Sequence, residues 1–145
     1  MLKPLQEWIC DVCDKVIEKP EDGFITASIN KQEEYYGFKI CHKEKCADNN
    51  RLPFSELQKL LGENGINNFL SLISAGLFKN ELGEKSRILV ENFDEFVDLF
   101  RRLQIPYYEE ARTKFNNQKV IEYFSDSNEV GFYFSKELKR IITNF

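Results

Sequence analysis

The sequence has no excess of positive charge, no repeated segment and no low-complexity tract. Its 20 Lys and Arg residues are outnumbered by 24 Asp and Glu, which gives a formal net charge of −4 and a pI near 5.2. This balance argues against broad attraction to phosphate backbones, because nonspecific nucleic-acid binding depends on many Lys and Arg contacts. Because no long flexible linker interrupts its 145 residues, the chain is expected to fold as one cooperative body.

The sequence also lacks a long hydrophobic run. The most apolar stretch, "INNFLSLISAGLF", is too short and too rich in amides to span a bilayer, and the start "MLKPLQEW" has no apolar signal-peptide core. The protein is therefore expected in the cytoplasm, with no part in a membrane. In that reducing compartment, its four cysteines favour metal ligands or free thiols over disulfides. Aromatic residues are plentiful, with 13 Phe, and indicate a globular core.

The cysteines fall into two groups that are well separated in the chain. Cys10 and Cys13 give the spacing C-x2-C, at which both sulfurs can turn toward one tetrahedral ion. Downstream, "CHKEKC" supplies Cys41, His42 and Cys46, so the second half of the pattern is either C-x4-C or H-x3-C. Zinc suits this set because it accepts thiolate and imidazole ligands in a closed tetrahedron. We therefore predict a structural zinc site.

Strand alternation indicates that only one of Cys41 and His42 is the fourth ligand. Neighbouring residues of a strand point to opposite faces, so these two side chains cannot both easily reach one ion. With His42 as the ligand, Cys41 remains as a small side chain on the other face, a position that free cysteine fills well. The residues alone leave the choice open.

The segments "WICDVCDKVIEKPEDGF" and "GFKICHKEKC" resemble uncharacterised bacterial proteins that pair an amino-terminal W-x-C-x-x-C, zinc-ribbon-like knuckle with a later His and Cys. The resemblance covers roughly the first third of the chain. In that family an aliphatic residue precedes the histidine, which implies that His42 is the ligand and Cys41 a variation. Asp14 departs from the common knuckle, in which glycine often follows the second cysteine. The resemblance implies no activity.

Other interpretations of the cysteines are weaker. Four unrelated buried thiols would not explain the paired spacing. A redox C-x-x-C normally opens a helix, whereas Pro20 and Gly23 leave little room for a helix after Cys13. A catalytic zinc needs an open coordination position, and this region has enough ligands to close the shell.

Hydrophobic periodicity predicts an α+β fold in two parts. Residues 1–52 form a zinc-ribbon-like module, in which a strand at 24–29 pairs with "YYGFKICH" as a hairpin. Residues 53–145 form a mainly helical bundle packed against it, with one short late strand at "EVGFYF". The predicted helices are "SELQKLL", capped by Ser55 and ended by Gly62; one opening near Gly65; one capped by Asn92; one from Pro106 to about Phe124; and one capped by Ser135.

The helix after Asn92 has the clearest signals. Glu95 occupies the capping-box position, and Phe93, Phe96 and Leu103 are among the residues expected to be buried. Charged residues nearby have two separate interpretations. Glu109 and Glu110 would favour the positive end of a helix dipole, and a local basic cluster is interpreted as an exposed face, with phosphate or partner binding as the minority alternative. That cluster consists of Arg101, Arg102, Arg112 and Lys114.

These features together predict a noncatalytic, zinc-stabilised interaction or adaptor protein, in which the helical part offers a surface to a protein partner. One alternative is a nucleic-acid-binding regulatory protein that sets the zinc hairpin against a phosphate backbone. Another is a zinc-dependent hydrolase, which would require an exchangeable water in the metal shell.

Overall fold

The computed structural model describes residues 1–83, 88–125 and 129–145. Strands dominate the first part of the chain and helices the remainder, which confirms the predicted mixture of helix and strand. The strands are β1 (Trp8–Ile9), β2 (Val16–Ile17), β3 (Gly23–Ile29), β4 (Glu34–His42), β5 (Leu52–Glu56) and β6 (Leu89–Val90). The helices are α1 (Gly62–Ile73), α2 (Gly76–Glu81), α3 (Phe93–Gln104), α4 (Tyr108–Ala111), α5 (Gln118–Phe124), α6 (Glu129–Phe132) and α7 (Ser135–Asn144), with 3₁₀ turns at Pro20–Asp22, Leu57–Leu60 and Arg112–Lys114.

The main sheet has the strand order β5-β3-β4-β6. The predicted hairpin is confirmed, since β3 and β4 pair antiparallel with Phe24 opposite Cys41. β5 lies antiparallel on the other side of β3, and β6 runs parallel to the start of β4. The β3–β4 register shifts between Thr26 and Ser28. Arg51 fills this irregularity, because its guanidinium donates to Thr26 Oγ1 at 2.9 Å and to the Gly37 carbonyl.

Carboxylate side chains hydrogen-bond to the backbone along the edge of β4 that lies beyond its short pairing with β6. Glu95 of α3 accepts hydrogen bonds from the backbone N–H groups of Gly37 and Phe38. Asp11 accepts from the Ile40 N–H at 2.8 Å, while its own N–H donates to the Ile40 carbonyl at 2.7 Å. An open strand edge exposes unpaired backbone groups, and these side chains satisfy part of that edge. They also attach both α3 and the segment around Asp11 to the sheet.

Helix α3 begins as predicted at Asn92, whose Oδ1 accepts from the N–H groups of Asp94 and Glu95 at 2.9 and 3.3 Å. The side chain of Glu95 bonds to β4 and not back to the Asn92 N–H, so the predicted capping box does not form. Phe96 is buried as expected, whereas Phe93, in the first position of the helix, is 59% exposed. The prediction of a buried Phe93 is therefore wrong.

The predicted helix "SELQKLL" is wrong. Ser55 pairs with Ile25 as part of β5, and only Leu57–Leu60 form a helical turn. Pairing with β3 has overridden the local helix preference, as tertiary context often does. Gly62 begins α1 and does not end a helix, and its φ of +68° is a conformation that glycine adopts without steric cost.

The helix predicted from Pro106 to Phe124 is divided into α4, a 3₁₀ turn and α5. The break has a local cause, because Asn117 caps α5 by accepting from the Lys119 N–H at 2.9 Å. Ser135 is the first residue of α7 and not its cap.

The late strand predicted at "EVGFYF" is also wrong, since this segment contains helix α6. Phe132, at the end of α6, packs its ring against those of Phe115 and Phe124, with centroids 5.4 and 4.8 Å apart. The aromatic residues of this segment therefore pack in a cluster of helices. The short late strand of the structure is β6.

Two hydrophobic clusters form the core. The first combines the sheet with α1 and α3 and includes Trp8, Ile40, Phe69 and Phe96, so residues from both sides of position 52 share it. The second joins α4, α5 and α7 around Tyr108, Ala111, Val120, Leu138 and Ile141. Within the described ranges, no helix has the length and apolar character needed to cross a membrane.

Candidate metal centre

A small hairpin presents the first two cysteines. β1 and β2 form only two residue pairs, and the connection between them contains Cys10 and Cys13. The Cys10 N–H donates to the Lys15 carbonyl at 2.9 Å, and the Asp14 N–H donates to the Cys10 carbonyl at 3.0 Å. Asp14 has a φ of +64°, in the left-handed region that glycine favours and aspartate tolerates. The departure from glycine at this position therefore retains the turn.

The end of β4 presents the other two donors. His42 is the last residue of the strand, and Cys46 lies in the turn that follows. The Cys46 N–H bonds to the His42 carbonyl at 3.4 Å, and the Lys43 N–H donates to the Asp22 carbonyl at 2.9 Å. The strand and its turn thus bring an imidazole and a thiol toward the C-x2-C knuckle.

Four potential ligand atoms converge, one each from Cys10, Cys13, His42 and Cys46, and all lie within 4.8 Å of one another. The sulfurs of Cys13 and Cys46 are 3.5 and 3.8 Å from His42 Nδ1. A tetrahedral ion with metal–sulfur bonds of about 2.3 Å and metal–nitrogen bonds of about 2.1 Å separates such a sulfur and nitrogen by about 3.6 Å. The cluster could therefore hold a metal ion with little rearrangement.

The hydrogen bond made by Nε2 of His42 determines that Nδ1 is the ring nitrogen able to bind a metal. Nε2 lies 3.1 Å from the Val16 carbonyl oxygen, which can only accept a hydrogen bond. Nε2 therefore carries the proton in the neutral ring, and Nδ1 directs its lone pair toward the sulfurs of Cys13 and Cys46. Metal-ligating histidines typically donate their other N–H to a carbonyl or carboxylate in this way.

Cys41 lies outside this group. Its side chain is buried in the first core cluster, and its strand position is opposite Phe24. Burial raises the pKa of the Cys41 thiol. Of the two candidates for the fourth ligand, the structure therefore brings His42, and not Cys41, to the other three residues.

The thiols of the cluster differ in acidity. Burial opposes ionisation of Cys10, but the backbone N–H groups of Cys13 and Val12 and the contacts with His42 outweigh it and lower the Cys10 pKa to about 6. Burial and the neighbouring Cys10 and Cys13 raise the pKa of Cys46 to about 11. Several thiolates in one small space repel each other, and a bound cation would offset that repulsion.

A buried ion-pair network lies next to the C-x2-C knuckle and was not predicted from the sequence. Arg102 is 3% exposed and forms a bidentate pair with Glu109, with two N–O distances of 2.7 Å. A third nitrogen of the guanidinium lies 2.7 Å from Asp11. Burial opposes the charge of Arg102, but Glu109 and Asp11 outweigh it and raise the arginine pKa.

The solvated interpretation is therefore wrong for Arg102. Glu109 lies in the first turn of α4 as expected, and it is also buried against Arg102. A signal was present in the sequence, because Arg102 follows Phe96 and Leu99 at helical spacing and so shares their buried face. An arginine at such a position requires buried partners. Nothing local to α3 identifies those partners as Glu109 and Asp11.

The rest of the predicted basic cluster is dispersed. Arg101 stacks over the ring of Tyr133, 3.7 Å from its centroid, and lines an open cavity of about 820 Å³ together with several aromatic residues. Arg112 lies 3.7 Å from Asp98, and Lys114 belongs to the 3₁₀ turn that follows α4. These side chains do not form one phosphate-binding surface with Arg102, because Arg102 is buried.

Comparisons with known proteins assign no family to the chain. No family model, no curated protein and no solved structure gives a significant match to it. The resemblance of the amino-terminal motif to uncharacterised bacterial proteins therefore stays a prediction.

Proposed function

We propose that the protein is a noncatalytic interaction module in which Cys10, Cys13, His42 and Cys46 hold one structural zinc ion. The convergence of three sulfurs and one nitrogen within 4.8 Å is the observation that carries this proposal. A tetrahedral set of thiolate and imidazole donors suits zinc, whereas hard cations such as Mg²⁺ and Ca²⁺ prefer oxygen.

The donor set supports a structural role over a catalytic one. A catalytic zinc usually has three protein ligands and keeps a position for water, whereas four protein donors complete a tetrahedron. Asp11, the carboxylate beside Cys10, already accepts from the Ile40 N–H and pairs with Arg102. Its Oδ2 is therefore engaged within the fold, which favours a structural role for the segment around Cys10.

The ion would bond the small hairpin directly to the end of β4. The hairpin of β1 and β2 contains two residue pairs, far fewer than an independently stable hairpin needs. Zinc bonded to both the knuckle and the end of β4 would attach this hairpin to the main sheet. Free energy of metal binding then becomes free energy of folding.

Exposed apolar side chains support a role in protein interaction. Leu77 and Phe78 of α2 are 87% and 74% exposed, and Leu82 shortly after it is 60% exposed. Apolar groups that cluster at a surface are typical of sites that bind other proteins. The nucleic-acid alternative has less support, because Arg102 is buried and Arg101 stacks on Tyr133. We therefore propose a cytoplasmic adaptor whose partner is a protein.

Metal analysis of protein purified without added zinc tests the metal centre. We expect one zinc per chain and an X-ray absorption spectrum with three sulfur neighbours and one nitrogen neighbour. His42→Ala should reduce the bound zinc strongly, while the matched variant Cys41→Ala should retain it. Absence of tightly bound zinc in the unmodified protein, or loss of it only with Cys41→Ala, would contradict the proposed ligand set.

Affinity capture from cell extract tests the interaction role. The double variant Leu77→Ser/Phe78→Ser should lose proteins that the unmodified chain retains. Ile121→Ser, which changes an exposed apolar side chain on α5, is the matched control and should retain them. An identical set of captured proteins for all three chains would argue against α2 as the interaction surface. Salt-sensitive binding of a labelled single-stranded DNA would instead favour the nucleic-acid alternative.

A further inference from the structure

The buried guanidinium of Arg102 connects α3 directly to the cysteine knuckle. Asp11 is the residue immediately after Cys10, and its Oδ2 lies 2.7 Å from Arg102 Nη1. The same oxygen accepts from the Ile40 N–H at 2.8 Å, in the strand that ends at His42. One carboxylate oxygen thus joins the knuckle, the histidine-bearing strand and α3.

The residues before the knuckle make a second set of contacts with the same network. The Trp8 indole Nε1 donates to the Arg102 carbonyl at 3.0 Å, and Arg102 Nη2 donates to the Ile9 carbonyl at 3.3 Å. The Ile9 N–H donates to Glu109 at 3.1 Å. The chain leading into Cys10 is therefore held by backbone and side-chain groups of both α3 and α4.

We propose that Arg102 is a positioning residue of the metal centre, so that metal binding by the knuckle and docking of α3 and α4 against it stabilise each other. This inference rests on the proposed metal site and adds a means by which the helical part controls it. Among the described residues, the Arg102 guanidinium donates to Glu109, Asp11 and Ile9 and to none of the four ligand residues. It orients Asp11 and the Ile9 carbonyl, which flank Cys10 on either side.

The expected size of the effect follows from other metal sites. Residues that orient ligands from outside the coordination shell commonly change metal affinity 10- to 100-fold when substituted. Coupling between two equilibria is reciprocal, so metal binding must also favour docking of α3 and α4 by the same factor. Metal removal should therefore be detectable in α4, which carries Glu109 but no metal ligand.

Substitutions must separate this role from general destabilisation. Complete loss of the guanidinium would leave two carboxylates without their partner, and a buried unpaired charge can unfold a protein. Asp11→Asn is milder, because it keeps an oxygen that can accept from Ile40 and leaves the Arg102–Glu109 pair intact. Arg102→Lys keeps the charge but cannot reproduce the bidentate geometry. Asp94→Asn is the matched control, since Asp94 also lies on α3 but is exposed in the first turn of the helix.

The first experiment measures zinc affinity by competition with a chromogenic chelator, together with the visible spectrum of the Co²⁺-loaded protein. We expect affinity to fall 10- to 100-fold in Asp11→Asn and Arg102→Lys, with altered Co²⁺ bands, and to change less than twofold in Asp94→Asn. Unchanged affinity in the first two variants would overturn the inference, as would an equal loss in Asp94→Asn. If the unmodified protein bound no zinc, the proposed metal site itself would fail, which is a different outcome.

A second measurement uses only the unmodified chain. Hydrogen exchange is followed at the Ala111 amide of α4, which donates to the Tyr107 carbonyl at 3.0 Å, with and without zinc. Exchange at Ala111 should accelerate at least tenfold when zinc is removed, while the Ile121 amide of α5 changes much less. Equal exchange at Ala111 in both conditions would overturn the coupling even if zinc binds tightly.

Discussion

Removal of zinc should lower the stability of the whole chain by a measurable and calculable amount. An ion that binds the folded chain and not the unfolded one stabilises the fold by about 4 kcal/mol when the free zinc concentration is about 1,000 times its Kd. With an unfolding entropy of about 2.1 cal/mol/K per residue, removal of the ion corresponds to a fall in Tm of about 13 °C for the full chain of 145 residues.

Differential scanning calorimetry of the zinc-loaded and chelator-treated protein measures this shift. Far-ultraviolet circular dichroism follows the main sheet and helices, and the fluorescence of Trp8 follows the small hairpin, because Trp8 is fully buried and lies in β1. Cys41→Ala should show the same response to chelator, whereas His42→Ala should show little. If zinc were lost completely and neither Tm nor Trp8 emission changed, the ion would not be structural.

Three further predictions concern other parts of the chain. Asn92→Ala removes the side-chain cap of α3 and should lower the free energy of unfolding by about 1 kcal/mol in urea titrations, with no effect on zinc content. Gly65→Ala should destabilise by about 1–3 kcal/mol in the same assay, because a Cβ at this position would overlap the backbone of Leu60. Hydrogen bonds from Lys43 and Lys59 lower the pKa of Glu56. The contribution of Glu56 to stability is therefore present above the ordinary glutamate pKa and is lost as pH falls through the lowered pKa. Glu56→Gln should therefore make stability less dependent on pH in that acidic window.

The candidate metal cluster could be predicted because the spacing within each of its two halves is local and its chemistry is restrictive. Two cysteines separated by two residues have a spacing typical of a zinc knuckle. The choice between Cys41 and His42 required knowledge of which strand face meets the knuckle. Strand alternation shows only that the two side chains diverge, and the pairing of Cys41 with Phe24 places Cys41 in the core.

The network around Arg102 could not be predicted in the same way. Glu109 occupies the first turn of α4, where a carboxylate is explained equally well by the helix dipole. Its pairing with Arg102 depends on the direction of the chain between α3 and α4, and Asp11 is 91 positions away from Arg102. Local periodicity identifies the buried face of α3 but does not identify partners at such a distance.

Errors in the predicted elements have a related cause. Ser55 and the leucines after it have good helix propensity, yet β3 offers them an unpaired edge, and strand pairing replaces the expected helix. Aromatic residues in "EVGFYF" favour a strand by composition, but in the structure Phe132 packs with Phe115 in a helical cluster. In both cases a distant part of the chain determines the local conformation.

On this proposal, the metal ion and the Arg102 network both hold the C-x2-C knuckle, and each stabilises the other. A buried arginine is favourable only while both of its carboxylates are held in place, and Asp11 is held by the same turn that carries Cys10 and Cys13. If a metal ion fixes that turn, it also fixes one partner of Arg102. If Arg102 is docked, it brings Asp11 and the backbone at Ile9 into position beside the first ligand. On this proposal, the ion and α3 both supplement the two residue pairs of the small hairpin.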